Sequence, residues 1–531
     1  MERFIKFIAG LFVFTIGLNL VVFGFILDSI LGSFIGVLIM AVVLVLSFKY
    51  LKSLTKKQII QGWRIGKGTD ITNPDHPVNL VVTIPTKALS LGFLGVGAPG
   101  SGKTVSLGVG YLQHLNRSIP EQGWSIIDGK GDIDYYLDLA RAGVKPDYFL
   151  SSELPGSNTI NLMDGEPLDV TDRCTRFLIP TTESTTFYSD EQKATLFKII
   201  PLLKYLGPAV SLRDLYTVLT VNEAQIELLQ LAKAAGVDET VLNLARSWFD
   251  LDYEDRVSLN KGLINRLYVF VAGAHTDRFN AYQPDINISE CMAKGKSIFF
   301  HLPFSDFAVS TAVAIVEVFG IEAKNRQLTG PDLASGYPLL FEDYGGFFHS
   351  NFGPISSRCR SAKMPLNFTF QSMAHLQKVD STFMDEIDDT VQSKIFFRVM
   401  GSKTAAFAVQ LLGEYETREL GQSRHGDRDG MSVQHVRNER ITEQNMRELN
   451  EGEAYVSTLI KDKQGNNKNP LYKVQFNQPE LDPSLVISLP DTVSHNDGDG
   501  LGLWAKYMTP SKLKAIHSKI NEQMAGEATA L

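Results

Sequence analysis

Residues Gly97 to Thr104 read GAPGSGKT, a glycine-rich run closed by a lysine and a hydroxyl at the spacing of a phosphate-binding loop. In such a loop the glycines let successive backbone N–H groups turn toward one point, and the helix after it adds its positive end. Gly97, Gly100 and Gly102 would shape the cradle, Lys103 would reach the β- and γ-phosphates of ATP, and the Thr104 hydroxyl would ligate Mg²⁺. The Mg²⁺ side of such a site needs carboxylates at the end of a buried strand. Tyr337 to Gly345, YPLLFEDYG, supplies them: four apolar residues deliver Glu342 and Asp343 as catalytic and metal-side candidates. Downstream of a complete phosphate loop, this acid-ended strand reads as a Walker B. Another strand, Leu366 to Phe370, ends in Gln371, whose amide could sense the γ-phosphate, orient water, or be a satisfied core group. The strand before Gly129 ends in Asp128, with Asp132 after it. These acids could sit beside the phosphates or be solvated in a turn.

The elements around these residues follow from hydrophobic periodicity. An apolar run, Leu91 to Val96, precedes the loop, and Val105 to Leu115 can be helical after it. Strand texture appears at Val78 to Ile84, Lys296 to Pro303 and Lys394 to Val399. Helical texture appears at Ser310 to Asn325 and Thr404 to Leu412. Between Asp190 and Phe270, runs such as Ala194 to Tyr205, Leu212 to Leu219 and Ala224 to Ala235 carry apolar residues three and four apart, which predicts an all-helical insertion. Arg418 to Arg440 is polar and charged, with glycine, and reads as an exposed loop. From Asp482 the chain turns linker-like and closes in an amphipathic helix from Pro510 to Met524.

With 531 residues the chain has room for two or three domains. A formal charge of -8 excludes a protein that coats polyanions over its whole surface, so contact with nucleic acid must use a local basic surface. Cys174, Cys291 and Cys359 are far apart, without metal-ligand spacing, and read as buried thiols. The first fifty residues differ from the rest. Phe7 to Leu27 and Ile30 to Phe48 are each long and apolar enough to span a bilayer. Arg3 and Lys6 precede the first span, and Lys49, Lys52, Lys56, Lys57 and Arg64 come after the second, which places both termini in the cytoplasm.

Taken in order, two N-terminal spans, GAPGSGKT, IIDGKGD, FYSDEQKATLFKIIPLL, INISECMAKGKSIFFHLP, LLFEDYG and FTFQSMAHL resemble the type IV secretion coupling protein family. This is the TraG/TraD group within the FtsK/HerA-type P-loop translocases. IFFRVMGSKTAAFAVQLLGE and ERITEQNMRELNEGEAYV are also similar, so the resemblance covers Met1 to Phe476. It implies an α/β fold: a RecA-like P-loop NTPase domain with an inserted all-α domain and an N-terminal two-helix transmembrane hairpin. The expected division is 1–57 for the hairpin, 58–189 with 285–480 for the nucleotide domain, 190–284 for the inserted domain and 481–531 for a linker and helix. The resemblance further implies a homo-hexameric ATPase of the bacterial inner membrane. Such a protein takes DNA, attached to a relaxase, or other secreted cargo and feeds it into a type IV secretion channel. Carried over by position, Gly97, Gly102, Lys103 and Thr104 match the Walker A, Glu342 and Asp343 the Walker B pair, and Gln371 the strand-ending glutamine. One departure matters: the family pattern is Asp then Glu, whereas this chain has Glu342 then Asp343. Either Glu342 contacts the metal shell while Asp343 orients water, or one of the two roles is weakened. Arg358, Arg360 and Arg398 are candidates for a cation supplied to a neighbouring subunit. Other expectations are a double-stranded DNA translocase of FtsK type, a coupling ATPase for protein effectors, and a nucleotide-binding cargo receptor with little turnover.

Overall fold

The structure is a computed structural model that describes residues 61–518 apart from 180–186, 208, 274, 329–335, 344–351, 373–382, 426–427, 463, 490–501, 510 and 517. The chain divides into two units, Met1–Gln61 and Gly62–Leu531, and every described helix and strand lies in the second. The two expected spans lie outside the described residues. Among the described residues no helix is long and apolar enough to cross a membrane.

The strands are β1 (Gly62–Asp70), β2 (Val78–Pro85), β3 (Phe93–Val96), β4 (Ser125–Asp128), β5 (Tyr148–Ser151), β6 (Ile298–His301), β7 (Leu339–Glu342), β8 (Leu366–Phe370), β9 (Ser393–Phe396), β10 (Glu414–His425), β11 (Arg428–Glu439), β12 (Glu453–Ser457), β13 (Ile460–Lys461), β14 (Asn467–Lys468) and β15 (Leu471–Phe476). Eleven of them form one sheet in the order β2-β1-β15-β12-β9-β3-β8-β7-β4-β6-β5. The run from β9 to β5 is parallel, and β12, β15, β1 and β2 continue it antiparallel. Strands such as FLGV, IFFH and LLFE are apolar at successive positions because helices cover both faces of a parallel sheet. Successive side chains alternate between the two faces. Phe93, Ile126, Phe149, Phe299, Leu340 and Ile395 pack with Leu107, Leu112 and Tyr136 on the side of the helix that follows the phosphate loop. Leu94, Ile127, Leu150, Phe300, Phe341 and Phe368 join a second core on the opposite face.

That second core also takes in the helices Phe187–Leu206, Leu212–Thr220, Asn222–Ala234, Glu239–Phe249 and Tyr253–Ala272, which succeed one another between β5 and β6. The Leu212–Thr220 helix starts from a reciprocal cap. Asp214 accepts from the Ser211 backbone N–H at 3.0 Å and from the Ser211 hydroxyl at 3.1 Å.

Two expectations need correction. Arg418 to Arg440 is not a loop: β10 and β11 pair from Glu414↔Glu439 to His425↔Arg428. Its charge and glycines hid the strands, although Gly426-Asp427 between them has the residue types of a tight hairpin connection. The linker-like stretch after Asp482 contains a short helix, Leu503–Tyr507, ahead of the expected terminal one. Residues 511–516 are helical, and the rest of that terminal helix, beyond residue 518, lies outside the described residues.

Candidate functional site

The phosphate loop leaves the C-terminal end of β3, between β8 and β9. Gly97 N–H donates to the Phe370 carbonyl at 3.0 Å, and Ala98 N–H to the Arg398 carbonyl at 2.8 Å. The loop's sequence is set by space. A Cβ on Gly97 would stand 2.6 Å from Ser101 Oγ and 2.8 Å from Phe397 Cβ. Gly102 adopts φ +86°, and a Cβ there would meet the Gly452 backbone nitrogen at 2.9 Å. Gly100, at φ +69°, has nothing within 4 Å of the same point, so that side of the loop is open. The helix after the loop is wound as a π-helix over Lys103–Val109 and becomes an α-helix at Gly110–Ser118.

Lys103 and Thr104 then meet the acids of β7. Lys103 Nζ lies 2.8 Å from Asp343 Oδ1 and 3.6 Å from Glu342 Oε1, and Thr104 donates to Glu342 Oε1 at 2.7 Å. Thr369, opposite Glu342 in β8, donates to the other oxygen, Oε2. Gln371 Nε2 donates to Asp343 Oδ2 at 2.5 Å. Lys103, Thr104, Glu342, Asp343 and Gln371 are thus brought together. The two carboxylates are sorted, Glu342 toward the threonine hydroxyls and Asp343 toward the lysine and the glutamine. Asp343 sits at φ +47°, a left-handed conformation that aspartate tolerates better than most side chains.

Asp128 is not a solvated turn acid. It is 1% exposed and lies opposite Glu342 in register, across β4 and β7. Its Oδ1 accepts from Lys130 N–H at 3.1 Å, while Oδ2 is buried without a partner among the described residues. Burial, with the Glu342 charge beside it, holds its carboxyl well above the usual carboxylate range. Asp132 instead caps the Ile133–Arg141 helix, accepting from Asp134 N–H at 3.1 Å. The row of strand ends continues. His301, on β6, faces Asp128 in register, and its Nδ1 lies 2.9 Å from the Ser151 hydroxyl at the end of β5. Burial holds the His301 imidazole below its ordinary value. His301 and Ser151 are not among the residues singled out from the sequence, although each, like Asp128 and Glu342, is the polar residue closing an apolar strand.

A carboxyl kept protonated by the fold opposes folding once the unfolded chain would ionise it. The Asp128 contribution to stability is therefore lost as pH rises from about 4, its unfolded value, through the raised folded value. Asp128→Asn is expected to raise the urea midpoint clearly at pH 8 and little at pH 4. Equal shifts at both pH values would contradict this.

Two distant segments close over the loop. Gly452 N–H donates to the Ser101 carbonyl at 3.0 Å, and Gln478 Nε2 to Ser106 Oγ at 3.1 Å. Neither had a signal in the sequence. Of the arginine candidates, Arg398 comes just after β9 and is tied by its backbone to the chain's own phosphate loop. Arg358 and Arg360 lie on the Phe352–Ser361 helix, in the last turn before β8 begins. The residues fit a polyphosphate with Mg²⁺: an open cradle at Gly100, a buried Ser101 hydroxyl without a partner among the described residues, and Thr104 beside a carboxylate.

Residues 349–451 match a family described as the TraM recognition site of TraD and TraG. Over that segment the chain is of the TraG/TraD type. Solved structures share the chain's fold. The bacterial conjugative coupling protein TrwBdeltaN70, in an unbound form, matches with a TM-score of 0.52 and 16% identity over 85% of this chain and 93% of that one. TrwB with a non-hydrolysable ATP analogue matches at TM-score 0.55 and 16% identity, over 81% and 98% of the two chains. TrwB with ADP and Mg²⁺ matches at 0.53 and 14%, over 80% and 98%. At these identities the likeness is one of fold. Comparison with curated proteins returned no match.

Proposed function

We propose that the chain is a P-loop ATPase that couples hydrolysis of Mg²⁺·ATP to moving DNA, joined to a relaxase, into a type IV secretion channel. The observation that carries the nucleotide chemistry is the convergence of Lys103 on Asp343 and of Thr104 on Glu342. Gly97, Gly100, Gly102, Lys103 and Thr104 would hold the phosphates, Lys103 neutralising charge on the β- and γ-groups. Mg²⁺ would supply charge neutralisation at the phosphates, held by Thr104 with Glu342. Asp343, held by Gln371, would accept the proton of the attacking water, and Asp128 would support Glu342 from the neighbouring strand. TrwB structures holding an ATP analogue, and ADP with Mg²⁺, support this class of ligand.

The domain division is 58–189 with 285–480 for the nucleotide domain, 190–284 for the helical domain and 481–531 for the tail. The anchor is 1–57, with spans Phe7 to Leu27 and Ile30 to Phe48 placing both termini on the cytoplasmic face of the bacterial inner membrane. The matched segment 349–451 is the surface for a TraM-like partner. In a homo-hexamer Arg358 or Arg360 would serve the neighbouring site. ATP hydrolysis by the full chain is expected to rise at least severalfold with single-stranded DNA. The stimulation should fade between about 50 and 200 mM salt as phosphate contacts are screened. Hydrolysis indifferent to DNA would favour a protein-effector pump, and binding without turnover would favour a cargo receptor, the reading that the Glu342-Asp343 order raises.

A further inference from the structure

The chain's C-terminal part is seated twice. Its first seat is on the nucleotide side, where Asp482 N–H donates to the Arg141 carbonyl at 2.9 Å and Glu480 pairs with Arg117 at 3.0 Å. The second seat is on the helical region, and residues 490–501 separate the two in sequence. There the Leu503–Tyr507 helix lies against the Leu212–Thr220 helix. The Arg213 guanidinium sits 5.1 Å from the centre of the Trp504 ring, and Tyr216 meets that ring edge-on at 6.4 Å. The Trp504 backbone N–H donates to Asp214 Oδ1 at 3.3 Å. Two residues on, Lys506 Nζ bonds both oxygens of Glu227, at 2.6 and 2.7 Å, and the Tyr507 hydroxyl donates to the same carboxylate. Leu503 and Met508, at the two ends of the segment, are buried.

We propose that the surface formed by Arg213, Asp214, Tyr216 and Glu227 is a peptide-binding site for an aromatic–x–Lys–aromatic segment, occupied in this chain by its own Gly502–Met508. Each side of the contact is chemically matched. A guanidinium takes an aromatic face, and a carboxylate takes an ammonium two residues later together with a phenol. A few anchors of this kind concentrate binding energy in a short segment. Two of the receiving groups are fixed independently of the tail: Asp214 is held by the Ser211 cap and by the Tyr282 hydroxyl at 3.0 Å, and Arg213 by Asp277 at 2.5 Å and Thr276 at 2.9 Å. The Arg213–Asp214 part of the site therefore does not depend on the tail for its shape. Tethering supplies an effective concentration of about 1 mM, so a segment of modest intrinsic affinity stays in place until a partner peptide of the same chemistry competes.

The test titrates a fluorescein-labelled peptide of sequence GLWAKYMT into the purified full-length protein and into two opened forms. One form ends at Leu501; the other is full length and carries Trp504→Ala with Lys506→Glu. Both are expected to bind the peptide about 10–100-fold more tightly than the unaltered chain, the factor set by the tether's effective concentration. Adding Glu227→Gln to either should weaken binding by about fivefold to tenfold, the loss of a charge-assisted contact. A peptide with alanine for tryptophan and glutamate for lysine should not bind. If the shortened chain does not fold, the full-length double variant carries the test. The proposal is overturned if the opened chains bind no more tightly than the unaltered one, or bind the altered peptide equally well. A lower melting temperature without gained peptide binding would make the tail a structural strap only and would overturn it as well.

Discussion

Lys103→Met is expected to lower ATP turnover by about 10²–10³-fold, the range seen when one preorganised charge-stabilising donor is removed. The effect has two physical sources. The ammonium is the cation aimed into the loop, 2.8 Å from Asp343 and 3.6 Å from Glu342, and it is 6% exposed. Without it the phosphates lose their partner, and the paired carboxylates are left uncompensated where a polyanion must enter. Nucleotide affinity should therefore fall along with turnover. Lys103→Arg should recover part of the affinity and little of the turnover, because a planar fork does not reproduce the reach of a compact ammonium. Phosphate release and titration with a fluorescent ATP analogue measure the two quantities, and a thermal melt shows whether the fold is kept. Turnover within tenfold of the unaltered chain would remove Lys103 from the proposed chemistry.

What could be read from the sequence was what short-range chemistry dictates. FLGV before GAPGSGKT, and LLFE before Asp343, announce themselves because a strand buried on both faces must be apolar throughout and can be polar only where it ends. Three of the helices between β5 and β6, Phe187–Leu206, Leu212–Thr220 and Asn222–Ala234, were legible from their spacing. Register was not legible. The row Ser151, His301, Asp128, Glu342, Thr369 is assembled from five strands scattered over more than two hundred residues, and no local pattern says that these ends align. The same holds for Gly452 on Ser101 and Gln478 on Ser106, contacts between segments roughly 350 residues apart. The charged hairpin β10–β11 failed for a different reason. Its residues are polar and charged with glycine, the composition of a loop, and its strands lie outside the main sheet.

The inverted acids lead to the second large effect, which separates two kinds of loss. Glu342→Gln and Asp343→Asn are each expected to reduce turnover by about 10²–10³-fold. Only Glu342→Gln should raise the Mg²⁺ concentration needed for half-maximal activity, since Thr104 and Thr369 orient the Glu342 oxygens. Asp343→Asn should leave the Mg²⁺ requirement unchanged and slow the chemical step itself, as loss of a general base does. Gln371→Ala should behave as a weaker Asp343→Asn because it frees one carboxylate oxygen without removing the carboxylate. Exchanging the two residues, Glu342→Asp with Asp343→Glu, tests why the order is inverted. The longer side chain at 342 spans from the strand end to Thr104. The position at 343 holds φ +47°, a conformation that costs a non-glycine residue about 1–3 kcal/mol and that aspartate tolerates better than glutamate. The exchanged chain should therefore be less stable as well as slow, and equal activity in the exchanged and native orders would show that backbone conformation at 343 does not set the assignment.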